Sequence, residues 1–487
     1  LLTGLHPHQA GIGQMTTDLG VPAYQGYLRD GCVTIAEVLK GAGYRTLLSG
    51  KWHVSGSWDN RDRANWVLGD KKHPLPQQRG FDRSFGLLNA ADSYWNPKSL
   101  ILEDQLIDVE TDDFHMTDAI ADHAVEQIDE SVAMGRPFFQ YVAFTAPHWP
   151  LHAREDDIAK YEGNYMAGYD AIRTSRHEEQ MGLGVVDDKW EISPRDSDSP
   201  DWNDVQNKEY EDIRMAVYSA MVEQVDRGVG RIIDTLKKHG EFENTVIMFL
   251  SDNGGCAEGM GRGKGIQFKD KNPKVLKPMG RGELQTSMIP KRTRDGRVVR
   301  QGTGVMTGGP DTYHGYGLAW ANASNTPFRE YKHWVHEGGI SSPLIAHWPS
   351  GIGEKRHGKL ESQPGHLIDL MATCVDLAQA AYPEKVGDTA IVPMQGTSLA
   401  PAFNGKKIGR KKPIYWEHEG NRAMRDGKWK LVAKGATGPW ELYDIKTDRT
   451  ELNNLAEKQP KRLNRMADEW ESWAVAALAK PWPWAKK

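Results

Sequence analysis

Cysteine is scarce: three residues in 487, at Cys32, Cys256 and Cys374. Three cysteines cannot build a disulfide framework, and their spacing fits no zinc site. No run approaches the ~18 apolar residues of a membrane-spanning helix, so no membrane span is expected. Charge of one sign is missing too. With 61 Lys and Arg against 66 Asp and Glu the net charge is −5, which removes the broad basic field of a nucleic-acid binder. The start shows no charged stretch followed by an apolar run, so no signal peptide can be read. The chain opens on Leu1-Leu2-Thr3-Gly4, which reads as the middle of a segment. What is present excludes disorder: 17 Trp and 39% hydrophobic residues are enough for a core. The length supports roughly two to four domains, and 50 Gly with 26 Pro indicate abundant turns and loops.

Helical and strand-like patterns alternate. Residues 34–41 (TIAEVLKG) read as a short amphipathic helix ended by glycine, and 44–49 (YRTLLS) as a strand. Residues 118–133 carry apolar positions at helical spacing, with Thr117 as N-cap. Residues 210–239 form the longest helical pattern, softly broken at Gly228 and Gly230, and 366–380 another amphipathic helix. Three apolar runs, 137–144 (PFFQYVAF), 245–250 (TVIMFL) and 343–347 (PLIAH), read as buried strands. Strands alternating with long helices imply an α/β fold, a largely parallel sheet with helices on both faces. Past about residue 405 short strand-like pieces at 414–416, 422–424, 429–432 and 441–443 precede an amphipathic helix over 460–478. The expected division is a large domain over 1–405 and a C-terminal α+β subdomain, antiparallel sheet plus helix, over 406–487. Residues 183–203 and 259–309, rich in Gly, Pro and charge, are expected to be surface insertions.

Chemistry gathers where strands end. The run 245–250 leads into Ser251-Asp252-Asn253-Gly254-Gly255. A loop at the carboxyl end of a parallel strand is where α/β enzymes place their sites. Asp252 and Asn253 offer hard oxygen ligands for Ca2+ or Mg2+, although the same residues also suit an Asx turn. The run 137–144 ends in Thr145-Ala146-Pro147-His148-Trp149-Pro150. Prolines fix the backbone on both sides of His148, a general acid or anion ligand or else a half-buried turn histidine. Strand 44–49 leads into Gly50-Lys51-Trp52-His53. Alternation puts Lys51 and His53 on one side and Trp52 on the other, a pair able to bind an anion and move a proton. Lys332 stands ahead of the glycine pair Gly338-Gly339 and the strand at 343. Each signal alone is weak; converging, they would form a cationic pocket beside a hard metal ion, suited to a tetrahedral anion.

With these residues in view, the chain resembles the type I sulfatases of the alkaline-phosphatase superfamily over essentially its whole length. Leu1-Leu2-Thr3-Gly4 is similar to the tail of that family's active-site signature: Cys or Ser, any residue, Pro-Ser-Arg, then shortly Leu-Thr-Gly. Gly43-Tyr44-Arg45-Thr46 with Gly50-Lys51-Trp52-His53 resembles the second signature. Ala146-Pro147-His148, Ser251-Asp252-Asn253-Gly254 and Glu337-Gly338-Gly339-Ile340 resemble further blocks in family order. Gly396-Thr397-Ser398-Leu399 and Trp416-Glu417-His418-Glu419-Gly420-Asn421 resemble the arylsulfatase-like branch.

The resemblance implies an alkaline-phosphatase-like fold and hydrolysis of an aryl or carbohydrate sulfate ester. The nucleophile would be a formylglycine, made from the signature Cys or Ser by a maturation enzyme, and its hydrate would attack sulfur beside one Ca2+. It implies Asp252 and Asn253 as metal ligands, Lys51 on the formylglycine hydroxyl and a sulfate oxygen, and His53 as the base that frees sulfate. His148 would meet the leaving oxygen, and Lys332 the sulfate and its bridging oxygen. His418, Asn421 and Trp149 are candidates for binding the rest of the substrate, while His6 and His8 read as loop packing. The partners implied are a sulfated small molecule or glycan and the maturation enzyme, in the periplasm or outside the cell. Two alternatives stay open. One is a phosphodiester or phosphonate monoester hydrolase of the same superfamily, although its two-metal members carry Asp-His-Gly where this chain has Asp252-Asn253-Gly254. The other is a non-catalytic relative that binds sulfated glycans.

By the same resemblance the nucleophile, the signature arginine and an upstream Asp pair fall ahead of Leu1, an N-terminal truncation, and none of the three cysteines has the signature context. The 487-residue polypeptide alone is therefore expected not to turn over 4-nitrophenyl sulfate; release of 4-nitrophenol in a spectrophotometric assay would refute this.

Overall fold

A computed structural model describes residues 1–57, 66–89, 91–109, 111, 113–261, 275–302 and 304–483. Parts of the expected insertion at 259–309 and of the subdomain at 406–487 lie outside the described residues.

The central sheet is built from β1 (Arg45–Lys51), β2 (Arg83–Leu87), β3 (Leu100–Leu102), β4 (Gln105–Leu106) and β5 (Phe138–Ala143), in spatial order β4-β3-β2-β1-β5. β1 pairs in parallel with β2 and β5, and β3 and β4 continue antiparallel beyond β2. Side chains alternate between the faces. Leu48, Phe139 and Tyr141 meet Ala36, Trp52 and Phe81 on one side; Phe85, Leu87 and Val142 meet Met116, Ile120 and Met221 on the other.

Helix α1 (Ile35–Gly41) covers the first face. Thr34 Oγ accepts the Glu37 N–H at 3.0 Å, and Glu37 in turn accepts the Thr34 N–H at 2.6 Å, a capping box that fixes where the helix begins. Helices α2 (Met116–Ala133) and α3 (Lys208–Lys238) cover the other face. His115, not Thr117, occupies the N-cap position of α2; Thr117 is buried inside the first turn. Helix α3 begins at Asn207, whose side chain accepts the Tyr210 N–H, and runs unbroken through Gly228. There the missing side chain lets the helix close on Ala121 and Phe144, so this glycine serves packing. The helix expected over 366–380 spans Asp369–Leu377.

Two further expectations change. The runs at 245–250 and 343–347 form β6 (Ile247–Leu250) and β7 (Leu344–His347), but they pair with each other, antiparallel, in a two-stranded ribbon. They are not buried: Phe249 is 47% and Ile345 60% exposed, since a two-stranded ribbon leaves apolar faces open. Segment 183–203 is not simply surface. Trp202 is buried with Tyr169 and Trp320, and the Arg173 guanidinium donates to Ser193 O.

The C-terminal strands β8 (Ile414–His418), β9 (Asn421–Asp426), β10 (Trp429–Ala433) and β11 (Glu441–Asp444) form an antiparallel sheet in chain order. Helix α5 (Pro460–Ala476) packs Met466, Trp470 and Ala474 against Met424, Leu431 and Leu442; helix α4 (Glu337–Ile340) abuts the same sheet. The join is ionic. Lys430, fully buried, lies 2.8 Å from both Glu337 Oε1 and Glu451 Oε1, with Arg449 Nε 3.1 Å from Glu337 Oε2. Burial would raise the Glu337 carboxyl, but Lys430 and Arg449 outweigh it and hold it at about 2. Glu441 is likewise held at about 2: burial opposes, and hydrogen bonds from His336 and Tyr443 with the Arg329 charge prevail. Both folded values lie below the ordinary 4.5. Their stabilisation is therefore complete above that pH and lost as pH falls towards the folded values. The thermal midpoint is expected to drop between those limits. Lys430→Met would take the lysine from two buried carboxylates, leaving Glu337 with Arg449 alone, and is expected to cost about 3–5 kcal/mol in a denaturant titration; an unchanged midpoint would show that the network adds nothing.

Candidate active site

Three chain segments meet at the end of β1. Gly50 has φ +126°, and a Cβ there would sit 2.1 Å from Ala143 O; the absent side chain lets β1 and β5 close up just before Lys51. Trp52 then turns inward, its Nε1–H donating to Pro74 O at 2.9 Å. His53 follows at φ +49°, its N–H on Leu88 O. Lys51 and His53 thus leave the strand on the side away from Trp52.

The chain leaving β5 forms a tight turn in which the His148 N–H reaches Thr145 O at 3.0 Å. The peptide bonds before Pro147 and Pro150 are cis. His148 Nδ1 lies 2.8 Å from Trp149 O and Nε2 lies 3.0 Å from Lys332 Nζ. A carbonyl only accepts and an ammonium only donates. The imidazole therefore carries its proton on Nδ1 and accepts from Lys332 at Nε2.

The loop after β6 is stitched to the Lys332 loop. Lys332 N–H donates to Gly255 O at 3.0 Å and Gly254 N–H to Gly339 O at 3.1 Å. Asn325 bridges both loops, accepting the Gly255 N–H at 2.9 Å and donating to Glu330 O at 2.9 Å. A Cβ on Gly254 would lie 1.8 Å from Gly338 O, so no side chain fits there.

These groups act on one another. Burial presses the Lys51 ammonium down to about 8; the Asp252 carboxylate opposes that shift and the Lys332 cation adds to it. Burial, with Lys51, His148 and Lys332, takes His53 to about 3; burial, with Lys332 and Lys51, does the same to His148. Two cations therefore stand among neutral imidazoles, with the exposed Asp252 and half-buried Asn253 at the edge. A carboxylate beside an amide oxygen is a donor pair for a hard divalent ion. The arrangement is electrostatically suited to an anion.

Trp149 lies at this edge, its ring 4.7 Å from that of His148 and its Nε1–H donating to Glu258. His418 stands apart from the lysines, its ring 5.4 Å from that of His333, the neighbour of Lys332. Asn421 is placed differently. It is 2% exposed, donates to His333 O at 3.2 Å and accepts the Gly435 N–H at 2.8 Å. With both ends of its amide engaged, it supports the His333 backbone and cannot face a substrate. His8 lies 2.5 Å from Glu417, both fully buried, a packing role as expected. Burial raises the Cys256 and Cys374 thiols, the latter to about 12, the reverse of an activated nucleophile. Sequence reasoning missed Asn325 and Glu258. Asn325 stands in the block ahead of Lys332, but only the fold shows what it bridges.

The sulfatase family profile matches residues 1–380, and the profile for the C-terminal part of N-sulphoglucosamine sulphohydrolase matches 329–471. An uncharacterized sulfatase of Schizosaccharomyces pombe is 30% identical over 502 residues, spanning 96% of this chain and 83% of that protein. The arylsulfatase of Klebsiella aerogenes is 28% identical, spanning 84% and 82%. The crystal structure of Ps i-CgsB in complex with k-i-k-neocarrahexaose superposes with a TM-score of 0.60 at 24% identity, covering 97% of this chain and 80% of that one.

Asn325→Ala would leave the Gly255 N–H and the Glu330 carbonyl unpaired. It is expected to cost about 1–3 kcal/mol in urea denaturation and to weaken inorganic sulfate binding in calorimetry; unaltered stability and binding would remove Asn325 from the site.

Proposed function

We propose, from the premise that this chain belongs to the sulfatase family, that it hydrolyses a carbohydrate or aryl sulfate monoester at Lys51, His53, His148, Lys332 and Asp252. The observation that carries the reading is the pair of half-buried lysines, Lys51 and Lys332, gathered with two imidazoles held neutral, a charge pattern complementary to a bound sulfate.

Lys51 and Lys332 hold the sulfate oxygens. Lys332 also gives the proton to the leaving oxygen, because the Nδ1 proton of His148 is engaged by Trp149 O while its Nε2 faces Lys332. His148 therefore orients Lys332 by accepting its hydrogen bond at Nε2. His53 is the acceptor when sulfate is released; a bound anion pulls its pKa back up and makes it a better base. Asp252 and Asn253 are the residues that would hold Ca2+, and the ion would polarise the sulfuryl oxygens. The family's formylglycine would supply the attacking hydroxyl, with its maturation enzyme as a required partner. The Trp149 ring offers an apolar face to a sugar or aryl group. A periplasmic or secreted location fits this reading; no helix among the described residues is long and apolar enough to cross a membrane.

Protein purified from its source organism is expected to release inorganic sulfate from sulfated sugars or aryl sulfates, read by ion chromatography. Release of phosphate from diesters or phosphonate esters at the higher rate, or glycan binding without release, would sink the proposal. Lys332→Ala is expected to lower kcat about 10²–10³-fold on the same substrate.

A further inference from the structure

Beside Lys332, three groups converge that the sulfate chemistry does not use. His333, His418 and Glu419 each present a ligand atom, all within 4.8 Å of one another. His333 Nδ1 already lies 3.1 Å from Glu419 Oε2. Bonds of about 2.0–2.1 Å to a tetrahedral ion put ligand atoms about 3.3–3.4 Å apart, so one pair is near that spacing and the third ligand atom lies within 4.8 Å of both.

The three are held from behind. His333 and Glu419 both adopt left-handed backbone, φ +92° and +51°, which non-glycine residues keep only where surroundings enforce it. Asn421 Nδ2 donates to His333 O at 3.2 Å, fixing one. Gln14 Nε2 donates to Glu419 Oε1 at 2.9 Å, fixing the other and leaving Oε2 towards His333. The turn between β8 and β9 is pinned where the Gly420 N–H meets Glu417, itself paired with His8. Ligands with supporting hydrogen bonds of this kind mark metal sites.

We infer that His333, His418 and Glu419 form a second metal site, taking a borderline divalent ion of the zinc class through two imidazole nitrogens and one carboxylate oxygen. Two imidazoles disfavour Ca2+ and Mg2+, so this site selects a different ion from the Asp252 loop. Binding at His333 Nδ1 moves its proton to Nε2 or to solvent. The ion joins the loop carrying Lys332 to the β8–β9 turn, and three protein ligands leave a fourth position open. The site itself does not depend on the sulfatase reading.

The test uses EDTA-stripped, desalted protein titrated with Zn2+ against a chromophoric chelator, with Co2+ absorption spectra as a report on geometry. The unaltered protein is expected to take one Zn2+ per chain and to give tetrahedral Co2+ bands. His418→Gln is expected to weaken Zn2+ at least tenfold. His333→Gln, at an exposed position where folding is not at risk, is expected to do the same. Asp252→Asn is expected to leave Zn2+ uptake unchanged. No uptake by the unaltered protein, or uptake by both histidine variants equal to that of the unaltered protein, overturns the site; loss of uptake in Asp252→Asn alone would move the ion to the other loop.

Discussion

The approach of the Asp252 loop to the Lys332 loop, made through Gly254 N–H to Gly339 O and Lys332 N–H to Gly255 O, sets the distance between the negative and positive halves of the site. That contact brings together groups that repel. Burial is the main cause of the fall of Lys51 from 10.5 to about 8; the Lys332 cation adds to it and the Asp252 carboxylate opposes it. A folded protein tolerates such a concentration of charge where a bound anion relieves it. The net charge of −5 hides this, because the cations are gathered by strand ends and not by composition.

The strain needs a rigid backing. A chain of contacts runs from buried Lys430 to Glu337, through the first turn of α4 to Gly339, and across to Gly254 beside Asp252. A buried ion network is a poor source of net stability but punishes any loss of a partner. Here it fixes the distance between the C-terminal sheet and the loop carrying Lys332. The His8–Glu417 pair does the same for the β8–β9 turn from the N-terminal side. The C-terminal strands are thus part of the site's architecture although they supply none of the lysines.

Local rules made much of this legible in the sequence. The run TIAEVLKG over 34–41 reads as the helix that forms there, and alternation after Gly50 separates Lys51 and His53 from Trp52. The ordered blocks led to the family and hence to the fold. What stayed hidden depends on partners distant in the chain. An apolar run such as TVIMFL states that it is a strand but not which strand it pairs with, so the antiparallel β6–β7 ribbon and its exposure were not foreseeable. Asn421 in a polar block looked like a ligand; only its bonds to His333 O and the Gly435 N–H, 88 and 14 residues away, show an amide already engaged. Trp202, inside a stretch too polar for core on average, is buried because Tyr169 and Trp320 meet it from two helices.

The proton inventory follows from the same geometry. A histidine between a carbonyl and an ammonium has its tautomer chosen for it: Trp149 O takes the Nδ1 proton of His148, and Lys332 faces the lone pair on Nε2. With burial and two lysines holding the ring near 3, the imidazolium is the costliest species in the cluster, whereas Lys332 carries three protons and one neighbour able to accept. The site therefore separates two tasks that one histidine could have combined. In the proposed reaction the lysine would carry charge and donate and the imidazole would steer it, while His53, on another strand end, would accept. Donor and acceptor come from different segments, yet the Lys332 charge also lowers the His53 pKa, so the two are coupled in the one pocket that the two-loop contact at Gly254 holds together.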